Sequence, residues 1–335
     1  MAQKIAIVGF GVCGRVAALL LAQHYDIEVF ERGDEHGHSS AGHVAAAMLA
    51  PMAESVLCEQ DLAEDGLAAL ALWPKLLALL DEPVQFQQAG SIIVAYPQDQ
   101  GAMAHFRKQL KPFAGFAGQD IDGAQLQTLE PELAGRFGKG LYLPCEGQLD
   151  NQGFYQHSYL SLKRRGVRFT FNADVDVDAL AAQDYQAVID CRGIGAKTAH
   201  TPLRGVRGEV ARVHAPEVRL SRPVRLMHPR YPIYIAPKPE YRYVIGATEI
   251  ESQDTRAITV RSTLELLSAA YSVHSGFAEA TVESLRAGLR PAYNDNRPHI
   301  EQRGKVISIN GLYRHGYMLA PIVVKRALAQ FNTAV

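Results

Sequence analysis

The sequence predicts an α/β fold of two intertwined domains, one Rossmann-like and the other rich in antiparallel sheet. Three observations predict it. Strand–helix units lie at the start, middle and end of the chain. The stretches between them read as short strands joined by tight turns. A glycine-rich turn separates the first strand from the first helix. Separated βα segments around strand-rich insertions imply one nucleotide-binding domain assembled from residues 1–83, 145–205 and 285–335, with a second domain inserted as 84–144 and 206–284.

The opening βαβ unit is the strongest signal. Lys4–Val8 is an apolar, β-rich run, and the turn Gly9-Phe10-Gly11-Val12-Cys13-Gly14 follows it. Arg15–His24 then reads as a buried helix with Ala and Leu on several faces, and Ile27–Phe30 as a second strand closing on Glu31. Further along, Asp61–Leu80 reads as helix, and Ser91–Ala95 and Gly140–Leu143 as strands. Asn151–Arg165 reads as helix, Val167–Val175 as strand, and Gln186–Asp190 as a short strand ending in Cys-Arg-Gly-Ile-Gly. Glu209–His214, Ile233–Ala236 and Tyr243–Gly246 read as strands, Thr263–Ala270 as helix, Val306–Asn310 as strand and Ala320–Phe331 as a closing helix.

Composition narrows the class. Of 335 residues, 47% are hydrophobic and 21% charged, as in an ordinary globular enzyme with a substantial core. The formal net charge of −1 offers no field for nucleic acid or an anionic membrane, although arginine is dense around Arg219–Arg230. The four cysteines are widely spaced, without metal-ligand or disulfide-framework patterning. The apolar stretch 4–12 lacks a basic flank and ends in glycines, unlike a signal peptide, and no apolar run is long enough to span a bilayer. A cytoplasmic enzyme is the expectation.

The turn carries the first chemistry. Gly9 permits the tight turn, Gly11 lets the backbone approach a pyrophosphate, and Gly14 lets helix and strand pack closely. The helix N-terminus supplies free N–H groups and partial positive charge to phosphates. Glu31 is placed to accept hydrogen bonds from ribose hydroxyls, and it would repel the 2′-phosphate of NADP.

Ordered motifs then extend along the chain. They are Ala45-Ala46-Ala47-Met48-Leu49-Ala50-Pro51 with Glu54, Arg207-Gly208-Glu209, Tyr234-Ile235-Ala236-Pro237, Val244-Ile245-Gly246-Ala247-Thr248, Gly288-Leu289-Arg290-Pro291 and Gly311-Leu312-Tyr313-Arg314-His315-Gly316. Together these resemble the D-amino-acid oxidase superfamily of FAD-dependent oxidoreductases, most closely its thiamine-pathway glycine oxidase branch, over nearly the whole chain.

The resemblance implies FAD held by Gly9, Gly11, Val12, Cys13, Gly14, Glu31 and Arg32, with Ser39 and Ser40 near the pyrophosphate. It places the backbone of Val175 on the adenine side and Gly193 after the middle strand. Ala46, Ala47 and Met48 would line the isoalloxazine, with Leu312, Tyr313, Arg314, His315, Gly316, Tyr317 and Met318 along its other edge. Arg290 and Arg314 would hold a substrate carboxylate, for which a guanidinium fork is well suited, with Tyr234, Met48 and Glu249 beside the substrate. A small amino acid or amine and O₂ follow as partners, and a homo-oligomer by the same inference. A flavin dehydrogenase of a 2-hydroxy acid or amine, feeding a quinone or carrier, is the alternative. The flavin would carry the hydride chemistry, so no catalytic acid or base is assigned.

Three residues depart from the glycine oxidase pattern: Ala47 where Gly is usual, Pro232 where a relative has His, and Glu249 where an apolar residue is expected. Two patterns carry no chemistry in this reading. Asp174-x-Asp176-x-Asp178 lacks the Gly and Glu of a calcium loop, and His36, His38 and His43 read as solvated loop residues. No metal is expected.

Overall fold

The computed structural model describes residues 3–110, 115, 117–199 and 202–329. Two sheets organise it. The first has six strands in the order His299–Arg303, Val306–Asn310, Ala187–Asp190, Lys4–Val8, Asp26–Phe30 and Arg168–Thr170. Its strands run parallel except for the His299–Arg303 edge, which is antiparallel to Val306–Asn310. Lys4–Val8 is apolar on both faces because helices cover both, as a central parallel strand requires. The helices Val12–Leu21 and Gly316–Ala329 pack together on one face around Ile5, Ile7, Leu19, Val324 and Leu328.

The second sheet has eight strands in the order Thr281–Ala292, Arg204–His214, Arg242–Gly246, Ile233–Lys238, Val224–Leu226, Ser91–Val94, Lys139–Leu143 and Gln119–Asp122. It is antiparallel apart from the pairing of Val224–Leu226 with Ser91–Val94. The helix Val260–Val273 buries Leu266, Ala269, Ala270 and Val273 against one face. A small sheet of Met48–Leu49, Gly147–Leu149 and Phe86–Gln87 joins the two halves. The α/β class and the division into a parallel and an antiparallel sheet are as the sequence predicts.

Several element bounds differ, each for a local reason. The run 61–80 is two helices, Gln60–Leu70 and Trp73–Leu77, because Pro74 lacks an N–H and starts a new helix. The strand expected over 167–175 stops at Thr170, since the chain turns through Asn172 at φ 56 and pairs Ala173 N with Glu31 O. The closing helix begins earlier, at Gly316, and is described to Ala329; residues 330 and 331 lie outside the described residues. His43 is buried, 9% exposed, rather than solvated, its ring packed edge-on against Tyr155. Asp176 caps the helix Val177–Ala181 through Ala179 N, so the aspartate-rich segment is a helix start. Among the described residues no helix is long and apolar enough to cross a membrane, and no cluster of metal-ligating side chains forms.

Candidate active site

A cavity of about 1150 Å³ runs from the glycine turn to the face of the large sheet. At its nucleotide end, Gly9 has φ 91 and any Cβ would meet Cys191 O at 2.6 Å. A Cβ on Gly14 would overlap Gly9 O, so helix and strand approach as closely as the fingerprint requires. Gly11 is different. A Cβ there would meet only Ser40 Oγ, at 3.5 Å, so the missing side chain opens space toward the cavity. The helix Val12–Leu21 has no side-chain cap and no acidic residue in its first turn, so its N–H groups are left for an anion.

Glu31 is fixed by two backbone donors, Phe10 N at 2.6 Å and Gly33 N at 2.7 Å. A carboxylate accepts about four hydrogen bonds, so lone pairs remain for ribose hydroxyls. Behind this loop Arg15 is fully buried between the rings of Phe10 and Tyr155, each 3.9 Å from its guanidinium carbon. It donates to Tyr155 O, to Ser158 Oγ at 3.0 Å and to Glu35 O at 3.3 Å, holding the loop that carries Ser39 and Ser40.

The sequence-predicted cofactor residues converge here with two exceptions. Gly9, Gly11, Val12, Cys13, Glu31, Arg32, Ser39, Ser40, Gly193 and the segments Ala46–Met48 and Leu312–Met318 all line the cavity. Gly14 lies behind it in the helix–strand contact, and Val175 packs against a side cluster instead.

Ala47 keeps the left-handed turn at φ 50 that a glycine would occupy without strain, while only 3% exposed. Ala47→Gly is therefore expected to stabilise the fold by about 0.5–1 kcal/mol, the left-handed penalty less the extra chain entropy of glycine. A thermal melt reads this directly, and an unchanged or lower midpoint would refute it.

The substrate end is built by strands of the large sheet. Arg290, on Thr281–Ala292, donates Nη2 to Thr248 O at 3.1 Å, while its buried Nη1 has no partner. Its guanidinium lies over Gly208, where any Cβ would overlap it. Thr248 is held in turn by Glu209, whose carboxylate accepts from Thr248 Oγ1 at 3.1 Å. Glu209 pairs with buried Arg207 at 2.6 Å, and Arg207 also binds the carbonyls of Asp254, Arg256 and Ala257. The Arg-Gly-Glu motif thus sets the position of Arg290 from below. Tyr234, across the strand from Gly246, stands where a Cβ on Gly246 would meet its Oη at 2.7 Å.

Arg314 is placed differently from Arg290. Its Nε meets Glu54 at 2.9 Å and its Nη1 meets Glu249 at 2.7 Å, so two carboxylates already hold its guanidinium. Tyr313 Oη donates to the other oxygen of Glu249. Glu54 is buried and also meets Arg225 at 3.4 Å and His315 at 3.6 Å. Burial pushes its carboxyl up, but Arg314, His315 and Arg225 outweigh that and bring it down to about 2. Burial lowers His315, and the field of Glu54 opposes that shift.

Sequence reasoning assigned no role to Glu54, Arg225, Arg212 or Lys238. Glu54 was visible only as part of a motif, and Arg225 only as one of an arginine-dense run. Lys238 directly follows the Tyr-Ile-Ala-Pro motif, and nothing in the sequence marks Arg212.

An anion-binding helix start, a ribose-facing carboxylate and an unpaired guanidinium in one cavity define a nucleotide-dependent enzyme. The cavity that would hold its cofactor lies between the Rossmann-like sheet and the antiparallel one. The chain belongs to the family of FAD-dependent oxidoreductases (DAO), whose profile matches residues 4–330. It is 38% identical over 321 residues to a Rhizobium etli protein named as a thiamine biosynthesis oxidoreductase, ThiO, covering 95% of this chain and 93% of that one. It is 25% identical to the glycine oxidase of Geobacillus kaustophilus, covering 95% of this chain and 90% of the relative. The crystal structure of a glycine oxidase from the same organism superposes with a TM-score of 0.79, covering 98% of this chain and 94% of that one at 23% identity. That of iminodiacetate oxidase from Chelativorans sp. BNC1 gives 0.76, covering 96% and 93% at 20% identity. At these identities the two structures speak to the fold.

The cofactor is FAD, and the residues fit it. The open cradle at Gly11 accommodates a pyrophosphate, Glu31 has lone pairs for a ribose, and Ala46–Met48 presents a narrow wall to a planar ring. Glu31→Ala is expected to weaken FAD binding roughly tenfold to a hundredfold, the worth of a charged hydrogen bond. Fluorescence titration of the apoprotein with FAD measures this, and unchanged affinity would remove Glu31 from the ribose.

Proposed function

We propose that this protein oxidises a small amino acid, such as glycine, sarcosine or a small D-amino acid, at its Cα. The products are a 2-oxo acid and ammonia or an amine, with O₂ as the final acceptor and H₂O₂ formed. The observation that carries this reading is the buried, unpartnered Nη1 of Arg290 in the cavity wall. A buried donor without an acceptor is costly, and a carboxylate supplies the acceptor in charged form.

In this reading Arg290 binds the substrate carboxylate. Glu249 lies one residue from the carbonyl that holds Arg290, and its oxygens retain lone pairs beyond their bonds to Arg314 and Tyr313. It receives the substrate amino group. Arg314 acts through Glu249 by orienting that carboxylate. Tyr234, half-buried with desolvation raising its hydroxyl above the ordinary phenol value, and Met48 bound the remaining space. Bound FAD supplies the acceptor for the hydride that leaves Cα. The protein contributes orientation: Arg290 holds the carboxylate and Glu249 accepts a hydrogen bond from the amine, which reacts in its uncharged form so that the nitrogen lone pair forms the imine as hydride leaves. The relatives named as glycine oxidases support the substrate class.

The test is an anaerobic titration of the purified holoprotein with glycine, sarcosine and D-alanine. Bleaching of the flavin absorbance, followed by peroxide on aeration, is the expected result. A flavin that stays oxidised with all three would sink the reading, and bleaching without turnover in O₂ would assign the electrons to a different acceptor.

A further inference from the structure

The segment that walls the cavity at Ala45–Met48 turns its carbonyls away from the cavity, and two buried cations receive them. Arg212 Nη2 donates to His43 O at 3.1 Å, to Ala45 O at 3.2 Å and to Asn151 Oδ1 at 3.0 Å. Lys238 Nζ donates to Ala46 O at 2.7 Å, to Leu149 O at 2.8 Å and to Gln148 Oε1 at 3.2 Å, which uses all three of its donors. Ala47 O accepts from Leu149 N at 3.2 Å. Among the described residues, the N–H groups of Ala46 and Ala47 have no hydrogen-bond partner. With the carbonyls tied behind, those donors are available on the cavity side.

Both cations come from the other half of the molecule. Arg212 stands on Arg204–His214 and Lys238 on Ile233–Lys238, strands of the large sheet. They are 7% and 6% exposed, and among the described residues neither forms an ion pair. Burial lowers Arg212 against the fields of Asp150, Tyr317, Tyr234 and Glu283, and it takes Lys238 down to about 7, with the neighbouring Arg212 lowering it further and Asp150 opposing. Apolar residues of similar length would fill these sites without the cost of burying an unpaired charge.

We propose that Lys238 and Arg212 are positioning residues for the flavin. They fix the wall segment with its N–H groups toward the cavity, and Arg212, joined by Lys238 in its protonated form, sets positive charge one peptide unit behind that wall. Charge placed near the ring of a flavin tunes its affinity for electrons. In a water-poor interior its effect is stronger than at the surface. The cations therefore favour the electron-rich form of the ring. This inference rests on FAD binding and not on which amino acid is oxidised, so a failed substrate test leaves it standing.

Sulfite is the probe. It adds to an oxidised flavin through its own electron pair: an N–S bond forms, the ring's C=N π bond opens, and that pair moves into the ring as extra negative charge, so its affinity reports the local field. Sulfite titration of the holoprotein, and the midpoint potential against a reference dye, are compared for wild type, Lys238→Met, Lys238→Arg and Arg212→Gln. Lys238→Met is expected to bind sulfite at least tenfold more weakly, equivalent to about 30 mV for a two-electron couple. Lys238→Arg is expected to restore most of the affinity. Arg212→Gln, which keeps a donor but loses the charge, should shift it in the same direction as Lys238→Met. If Lys238→Met and Arg212→Gln lower only the melting temperature, with sulfite affinity and potential unchanged, both residues are structural and the proposal fails. If Lys238→Met does not fold by circular dichroism, Arg212→Gln decides alone, by the same two outcomes.

Discussion

Arg290→Ala is expected to retain its FAD and to raise KM for the amino acid substrate by about two orders of magnitude. The side chain has one hydrogen-bonded partner, Thr248 O, in the segment that follows the strand Arg242–Gly246 of the large sheet. Removing it leaves the glycine turn, Glu31 and the helix start intact. What is lost is a charged hydrogen bond to a desolvated carboxylate, and truncating such a buried pair costs roughly 2–5 kcal/mol. The effect should fall on ligands that carry a carboxylate and spare amines that lack one. A variant with normal KM, or one that loses its flavin, would contradict the assignment. Gly208 provides an independent check on geometry, since a Cβ there would overlap the guanidinium. Gly208→Ala should therefore displace the guanidinium and reproduce much of the KM effect with Arg290 itself unsubstituted.

Glu54→Gln is expected to destabilise the protein by on the order of 3 kcal/mol near neutral pH. The side chain is nearly buried and meets Arg314, Arg225 and His315. Removing its charge leaves two largely buried guanidinium groups short of a partner, the more damaging way to break a buried pair. The magnitude follows from the shift of the carboxyl from its ordinary 4.5 to about 2. The sign is that of a depressed carboxyl. Its stabilisation is fully present above about pH 4.5 and is lost as pH falls through about 2. Urea unfolding of both proteins should therefore show a large gap near pH 7 that narrows once the pH drops below about 4.5. A gap that stays constant with acid would show that Glu54 contributes packing and not charge.

The nucleotide end was legible from residue order because its physics is local. Gly9, Gly11 and Gly14 act within one turn, and Glu31 closes on Phe10 N and Gly33 N through contacts that the βαβ unit guarantees. The substrate end was legible only through ordered motifs. Those located Arg290, Arg314, Tyr234 and Glu249 but not their pairings, so Arg314 read as free when Glu54 and Glu249 hold it. The strand Thr281–Ala292 escaped pattern reading because it is a sheet edge of mixed exposure carrying Gly288 and Pro291, residues that usually break strands. His43 escaped because burial of a loop residue depends on what packs over the loop.

Taken alone, the chain's order of residues determined the α/β class, the dinucleotide-binding turn and the presence of an arginine suited to a carboxylate. Each rests on spacing within a few residues or on a short motif. The tertiary structure alone decided which arginine is free, that Glu54 is shared among cations, and that Lys238 and Arg212 stand behind the cavity wall. Those facts join residues as far apart as Glu54 and Arg314, 260 positions along the chain. Strand register and domain packing bring such pairs together, and neither leaves a periodic trace in the sequence.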